Sequence, residues 1–564
     1  MQSASESYPF CEDIKLLTEC SWEVCNKIGG IYTVLSTKAF ELKKIFGDKL
    51  VFIGPDLGQG HDADAPTDFR ERKTLLNSFS SHKFPHGIRV RCGRWNVPGS
   101  PLVVLVDFRP VFSLLNETYG KMWENFSVDS LHAYGDYDES CAFSIAAAIV
   151  AIELGRSLKI APENQVAHYN EWTTGMGLLY MKLHQPESAT IFTTHATTIG
   201  RSICGNGKPL YQYFENYNGD QMAAELNVES KHSLEKAAAW NADCFTTVSN
   251  VTARECAHLL GREPDVVTPN GFEPSFVPES SKWERLRTKG RNKILKIASL
   301  LNDSQLPDNT FIIATSGRNE FRNKGLDLFL DSMKRLADKL TDADRKVVAL
   351  VLVPAWVKQP SGDLLVDLDF GGWIKPDPDY LTHRLNNEDS DAVACTIRRI
   401  NGEMEMVGCS RRVKIIFVPS YLDGADGIVN IPYYDFMPAV DLTVFGSYYE
   451  PWGYTPLESI AFGVPTITTD KAGFGEWVRE IKADSLKKGG VAVISREDTN
   501  YHESLEKISS LALDYLRANE AEKAEIISAA KKTAGMAEWK FFIEKYKEAF
   551  STALENAKKR TQFQ

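Results

Sequence analysis

Two doubly wound α/β domains of Rossmann type, facing across a cleft, are predicted for this chain on three observations. Apolar runs of four to ten residues recur along its 564 residues. They are continuous in Val and Ile rather than alternating, as parallel strands covered on both faces require. Longer stretches of helical character separate them, which suggests βαβ units. Third, the polar, charged stretch "EPSFVPESSKWERLRTKGRNKILK" (273–296) has no strand character and parts the runs into two series. It reads as the linker, and the division adopted is 1–280 and 281–535.

In the first series, strands are read at "KLVFIGP" (49–55), "LVVLVDF" (102–108), "QVAHYN" (165–170), "ATIFTTHA" (189–196), "CFTTVS" (244–249) and "DVVTPNG" (265–271). In the second they are "TFIIATSGR" (310–318), "KVVALVLVPA" (346–355), "VKIIFVPS" (413–420), "AVDLTVFGS" (439–447), "VPTITT" (464–469) and "GVAVIS" (490–495). The final sixty or so residues are helical by composition. Between "VFGS" and "VPTITT", Thr455-Pro456-Leu457-Glu458 reads as a helix start, Thr455 as N-cap, Pro456 first and Glu458 third, which makes a capping box, and Gly463 reads as the C-cap of this short helix.

Composition excludes several classes. A net charge of −11 argues against a nucleic-acid binder, which would show a basic face. No apolar run reaches the ~18 to 20 residues of a membrane span; the nearest, "CAFSIAAAIVAIELG" (141–155), reads as a buried helix. The ten cysteines include no C-x-x-C, so neither a disulfide framework nor a zinc site is indicated. "MQSASESYPF" has no signal-peptide character, and the expectation is a cytoplasmic protein.

In doubly wound sheets ligands bind beyond the carboxyl ends of the strands. Those positions hold Gly29-Gly30 at the start of a helix, His195 and Arg201 after "ATIFTTHA", and Arg318 and Lys324 after "TFIIATSG". Glu450 and Glu458 flank the helix start after "VFGS". Each has an ordinary reading: a turn, a strand-end histidine, solvated cations, a capped helix. Together they suit a sugar–nucleotide diphosphate, whose charge cations and a helix N-terminus would hold. No G-x-G-x-x-G follows a strand, which weighs against a dinucleotide.

Seven ordered blocks then carry a resemblance: "NKIGGIYTVL" (26–35), "IFTTHATTIGR" (191–201), "FTTVSNVTA" (245–253), "PDVVTPNGF" (264–272), "GRNEFRNKG" (317–325), "TIRRI" (396–400) and "SYYEPWGYTPLE" (447–458). The chain resembles the glycogen synthases of the animal and fungal type, retaining glycosyltransferases of the two-domain GT-B fold. The resemblance implies glucose transfer from UDP-glucose to the non-reducing end of an α-1,4-glucan with retention, without a cofactor or metal. The same fold using ADP-glucose or another acceptor, and a non-catalytic glucan-binding relative, are the alternatives. By resemblance, Arg318 and Lys324 match the pair holding the donor diphosphate, and Arg201 an arginine that joins them on closure. Glu450 would lie beside the transferred glucose and Glu458 at the ribose. The "WGYTPL" residues Trp452, Gly453, Tyr454, Thr455 and Leu457 belong to the substrate site, the amides around Thr455 and Leu457 meeting the diphosphate. Tyr433 would stack on uracil, His195 and Glu171 would line the sugar and acceptor side, and Lys27, Gly29 and Gly30 would also bind substrate. A closing helix, 536–564, would return to the first domain. A glycogenin-like primer and a homo-oligomer are further implied partners, with no nucleic acid or membrane.

The chain departs from that family in three places. "HYNEW" (168–172) has Asn170 where the family carries a histidine. The helical insertion between "VPA" (353–355) and "TIRRI" is short, which puts the family's tetramer in doubt. Residues 515–542 hold one arginine, Arg517, in place of the arginine cluster that binds glucose 6-phosphate in the eukaryotic enzymes. A metal-dependent alternative would use a D-x-D such as Asp367-x-Asp369, read as a strand end; the spacing also occurs at 62–64, 136–138 and 377–379.

Overall fold

Strand β1 (Leu16–Cys20) is buried at every position and pairs in parallel with β2 (Leu50–Pro55) on one side and β6 (Gln165–Asn170) on the other. The computed structural model describes residues 12–58, 68–71, 76, 78–302, 304–370, 376–409 and 412–562, without the side chains of 369 and 370. These residues divide into two compact units. One runs to Glu273 and resumes at Glu538; the other is Pro274–Ala537.

The first unit is built on a nine-stranded sheet. Besides β1, β2 and β6 it contains β3 (Phe69–Glu71), β4 (Arg89–Trp95), β5 (Leu102–Asp107), β7 (Ala189–Thr194), β8 (Cys244–Thr247) and β9 (Val266–Val267). The order is β3-β4-β5-β2-β1-β6-β7-β8-β9. β4 alone points opposite to the other eight strands. Helix Tyr137–Ser157 lies inside the core of this unit. It is the one described helix long and apolar enough to cross a membrane, yet 83% of that stretch is buried in the protein. Helix Trp539–Gln562 packs on β7 and β8, and Trp539 donates its indole N–H to Thr37 Oγ1 at 2.7 Å.

The second unit carries a six-stranded, all-parallel sheet. It comprises β10 (Phe311–Ser316), β11 (Val347–Leu352), β14 (Val413–Val418), β15 (Leu442–Val444), β16 (Thr466–Thr469) and β17 (Val491–Ile494), and β12 (Val357–Pro360) and β13 (His383–Leu385) form a separate antiparallel pair. The order β14-β11-β10-β15-β16-β17 is, in sequence rank, 3-2-1-4-5-6. That is the doubly wound order whose direction reverses beside its first strand, so the ligand crevice opens between the ends of β10 and β15. In the first unit, β5-β2-β1-β6-β7-β8 repeats the pattern, with its reversal between β1 and β6.

Two sequence expectations are corrected. Residues 280–301 are a helix, Ser280–Leu301, rather than a linker. Leu286, Gly290, Ile294, Ala298 and Leu301 are buried at three- and four-residue spacing, the stripe of an amphipathic helix whose other face is charged. Arg287 and Arg291 on it bind Asp441 at 2.6 and 3.0 Å. The helix belongs to the second unit, which therefore begins at Pro274, before residue 280. Likewise "LLVDLDF" lies in helix Gly362–Phe370, with Leu364 and Asp367 buried. Asp367 is thus not at a strand end. The D-x-D at 62–64 and the side chain of Asp369 lie outside the described residues.

Candidate active site

In the second unit the loops after β10 and β15 are joined through their backbones. The Tyr448 and Tyr449 N–H groups both donate to the Asn323 carbonyl, at 3.0 and 3.1 Å. This brings Lys324 Nζ to 2.5 Å from Glu450 Oε2, with side chains only 13% and 17% exposed. Arg318 is more open and pairs with Glu320 at 3.1 Å. The Glu450 loop is fixed from its far side by a segment the sequence analysis passed over, "KAGF" (471–474): Gly473 N–H donates to Glu450 O at 3.1 Å and Phe474 N–H to Trp452 O at 2.7 Å.

Helix Tyr454–Ala461 starts earlier than predicted, with Gly453 as its N-cap at φ 103°. A positive φ is strained for a side-chain-bearing residue. The turn at Gly453 starts the helix at Tyr454, so Thr455 is inside it and no side chain caps it. Pro456 is still tolerated, because first-turn N–H groups have no intrahelical acceptor. The amides of Tyr454, Thr455 and Leu457 lie in that turn, while the Leu457 side chain is core. The predicted capping box is absent. Glu458 is buried and accepts a hydrogen bond from the Tyr434 hydroxyl at 2.7 Å. Tyr434 lies between Phe276 and Phe462, stacked at 5.4 and 5.5 Å. Tyr433, half-buried beside it, shares a hydrogen bond of 2.9 Å with Ser316 at the end of β10. Tyr434 and Ser316 carry no local signature, because their partners are more than twenty residues away in the chain.

In the first unit the helix Gly30–Phe46 begins at Gly29, as the Gly-Gly pair suggested. The anion at its N-terminus is the chain's own. Glu23 Oε2 accepts from the Gly29 and Tyr32 N–H groups, both at 2.8 Å. Nothing crowds Gly30 within 4 Å of a Cβ position, and Lys27 is exposed, 5.8 Å from the Tyr32 ring centroid.

Glu171 follows β6 at φ 68°, a left-handed conformation that costs a non-glycine residue ~1–3 kcal/mol. It turns the carboxylate under the next strand end, where Oε1 accepts from the His195 and Ala196 N–H groups at 2.9 and 3.0 Å. Two further buried glutamates, unmarked by any motif, hold the same "TTHATT" loop. Glu235 accepts from Thr194 Oγ1 at 3.2 Å and Thr198 N at 2.8 Å, and Glu255 from Thr197 Oγ1 at 2.8 Å. Burial raises the pKa of Glu171, opposed by the Arg201 charge. Burial, and then Glu171, raise that of Glu235. His195 is pushed well below its ordinary value by burial and by the charges of Lys38, His168 and Arg201. It is therefore a neutral imidazole, a hydrogen-bonding group rather than a cation. The Arg201 side chain is exposed.

The two site sets thus fall in different units: Arg318, Lys324, Tyr433, Glu450 and 452–458 in the second, and Lys27, Gly29, Gly30, Glu171, His195 and Arg201 in the first. Comparison with known proteins supplies the family. The family model described as glycogen synthase matches residues 19–365 and 375–564. The glycogen [starch] synthase of Neurospora crassa is 30% identical over 96% of this chain and 84% of the fungal protein. That of Caenorhabditis elegans is 28% identical over 96% and 88%, and the human liver protein 29% over 96% and 84%. Among solved structures, the catalytic domain of starch synthase IV from Arabidopsis thaliana superposes with a TM-score of 0.57 at 15% identity, covering 96% of this chain and all of that one. A trehalose 6-phosphate synthase from Burkholderia multivorans gives 0.53 at 10%, covering 97% and 98%. These last two place the fold among the GT-B glycosyltransferases. With the family model matching nearly the whole chain, the protein belongs to the glycogen synthase family of glucosyltransferases, which act on a nucleotide sugar and a glucan.

Proposed function

We propose that the chain transfers glucose from UDP-glucose to the non-reducing 4-hydroxyl of an α-1,4-glucan, with retention of configuration. The observation that carries this is the Lys324–Glu450 pair, set where the second sheet reverses direction and next to the first turn of helix Tyr454–Ala461. A nucleoside diphosphate laid on that turn meets backbone donors and the positive end of the helix dipole. Lys324 and Arg318 then balance the charge that develops on the leaving phosphate. Glu450 supplies negative charge to the oxocarbenium-like sugar of the transition state, and the departing phosphate takes the acceptor's proton on the same face. This chemistry asks nothing of a metal.

Tyr433 beside Ser316 offers an aromatic face to a base, and Glu458 a carboxylate to a ribose. Glu171, His195, Arg201 and the Lys27–Gly30 segment form the sugar and acceptor side in this reading. The enzyme would act in the cytoplasm, with a glycogenin-like primer and self-association as further expectations. A donor competition with glycogen as acceptor tests it. Transfer should be faster from UDP-glucose than from ADP-glucose and should survive a chelator. Preference for ADP-glucose, or loss of activity with the chelator, overturns the corresponding part.

A further inference from the structure

Asn170 closes β6 at the point where the first sheet reverses direction, beside the end of β1. Its side chain is 1% exposed and makes contacts of two kinds. Nδ2 lies 3.2 Å from the Cys20 carbonyl and 3.3 Å from Glu19 Oε1, both acceptors. Oδ1 lies 3.0 Å from His195 Nε2. The amide orientation therefore follows from its partners, since a carbonyl can only accept. With the NH2 group committed to Cys20 and Glu19, the oxygen must face the imidazole. Glu19 is itself pinned: its Oε1 is 2.5 Å from Lys38 Nζ, with both side chains at most 1% exposed, and Lys38 Nζ sits 4.3 Å from the Tyr546 ring centroid.

We propose that Asn170 is a positioning residue for His195: by accepting from Nε2–H it fixes one neutral tautomer, leaving Nδ1 as an acceptor for a sugar hydroxyl. The role in transfer rests on the function proposed above; the tautomer does not. The ring is held at one edge by Asn170, and its backbone N–H is held by Glu171 Oε1. Nδ1 makes no hydrogen bond among the described residues. Lys38, His168 and Arg201 act on the ring, Glu171 holds its backbone N–H, Glu19 lies behind Asn170 and Glu235 on the same loop at Thr194 and Thr198; burial with the nearby cations keeps the imidazole neutral. A neutral imidazole has one donor and one acceptor, so the partner of one nitrogen decides the chemistry of the other.

The test is 15N NMR of the histidine-labelled full-length protein, with His195 assigned by its loss in His195→Gln. The expected result is a neutral ring protonated at Nε2. A ring protonated at Nδ1, or an imidazolium at neutral pH, overturns the proposal without any reference to activity. Two variants extend the test. Asn170→Leu removes both halves of the link at similar volume. It should give mixed tautomers and a turnover lower by about tenfold, the worth of one lost hydrogen bond, with KM for UDP-glucose within about twofold. Asn170→Asp keeps the acceptor for the ring and adds negative charge, while giving up the donor to the Cys20 carbonyl and Glu19. It should retain the Nε2–H tautomer and shift the acid limb of the turnover profile to higher pH, because a neighbouring carboxylate favours the imidazolium. Unchanged tautomer and turnover in Asn170→Leu overturns the idea. If the wild type transfers no glucose, the function falls while the spectrum still decides the positioning.

Discussion

Lys324 and Glu450 meet as an ion pair in a largely desolvated spot. Glu450→Gln should fold normally, keep an acceptor for Lys324 and lose turnover by ~10²–10³, the range for removing one preorganised electrostatic group. Turnover within threefold or so of wild type would remove Glu450 from the chemistry. Lys324→Ala and Arg318→Ala should each weaken UDP binding in calorimetry, because the diphosphate loses a charge-assisted contact; unchanged affinity in both would make them ordinary surface cations. Glu235 permits a prediction on stability. Burial and Glu171 hold its pKa above the ordinary 4.5, so the folded chain keeps a proton that the unfolded chain releases. This group's contribution is complete below about pH 4.5 and is lost as pH rises towards the folded value. Glu235→Gln has no such proton. The difference in Tm, wild type minus variant, should therefore shrink steadily from about pH 5 to about pH 8, and a difference independent of pH would mean that Glu235 stays ionised.

Single elements show what a sequence discloses and what it hides. All the parallel strands but β1 were legible because a strand buried on both faces, such as "VVALVL" in β11, is apolar throughout; β1, "LLTEC", was missed because Thr18 and Glu19 interrupt its apolar run. The antiparallel pair β3 and β4 at one end of the first sheet was not legible. "FRE" and "RVRCGRW" carry charge on their open side and look like loop. Helix Ser280–Leu301 was hidden by its charged face, and the helix after Gly453 was misplaced by two residues because the turn, not a capping side chain, starts it. At the site, the loops carrying Glu450 and Lys324 could be found from motifs, but Tyr434 on Glu458 and Glu235 on the "TTHATT" loop are pairings across the fold with no local signature. The stretch 515–542 spans the end of helix Tyr501–Arg517 and the whole of helix Glu520–Met536. Arg517 is engaged by both oxygens of Asp344, at 2.8 Å each. Lys523 pairs with Glu520, and the Lys531 stem lies against Gly463. One edge of Arg517 is thus already forked onto a carboxylate, and residues 515–542 hold no second arginine to converge with it on a phosphate. Glucose 6-phosphate should therefore change turnover by less than about twofold, in contrast to a dianion held by a convergent arginine cluster. Saturable, several-fold activation at sub-saturating UDP-glucose would show that another part of the chain builds such a site.

At the scale of the whole molecule, the first unit is closed by a helix that the chain makes after all of the second. Trp539 is 1% exposed and Phe272 bridges to Glu538, so the return is stitched at its first residues. Asp243 receives Arg560 at 3.0 Å near the other end. Trp539→Ala should cost about 3–5 kcal/mol, as for other large buried aromatics. Hydrogen exchange should locate that cost in β6, β7 and β8, with β10, β11 and β14 protected as before. Equal loss in both sheets would mean that the units unfold as one. The same connectivity orders events on the ribosome. Synthesis runs at ~5–20 residues per second, so the second unit takes on the order of tens of seconds to emerge. Through that interval Thr37, Phe46 and His168, the partners of Trp539, Phe550 and Tyr546, and the faces of β7 and β8 under the same helix stay uncovered. The part of the protein translated second is thus free to mature first, while the part translated first keeps apolar surface open to water until helix Trp539–Gln562 follows it out of the exit tunnel.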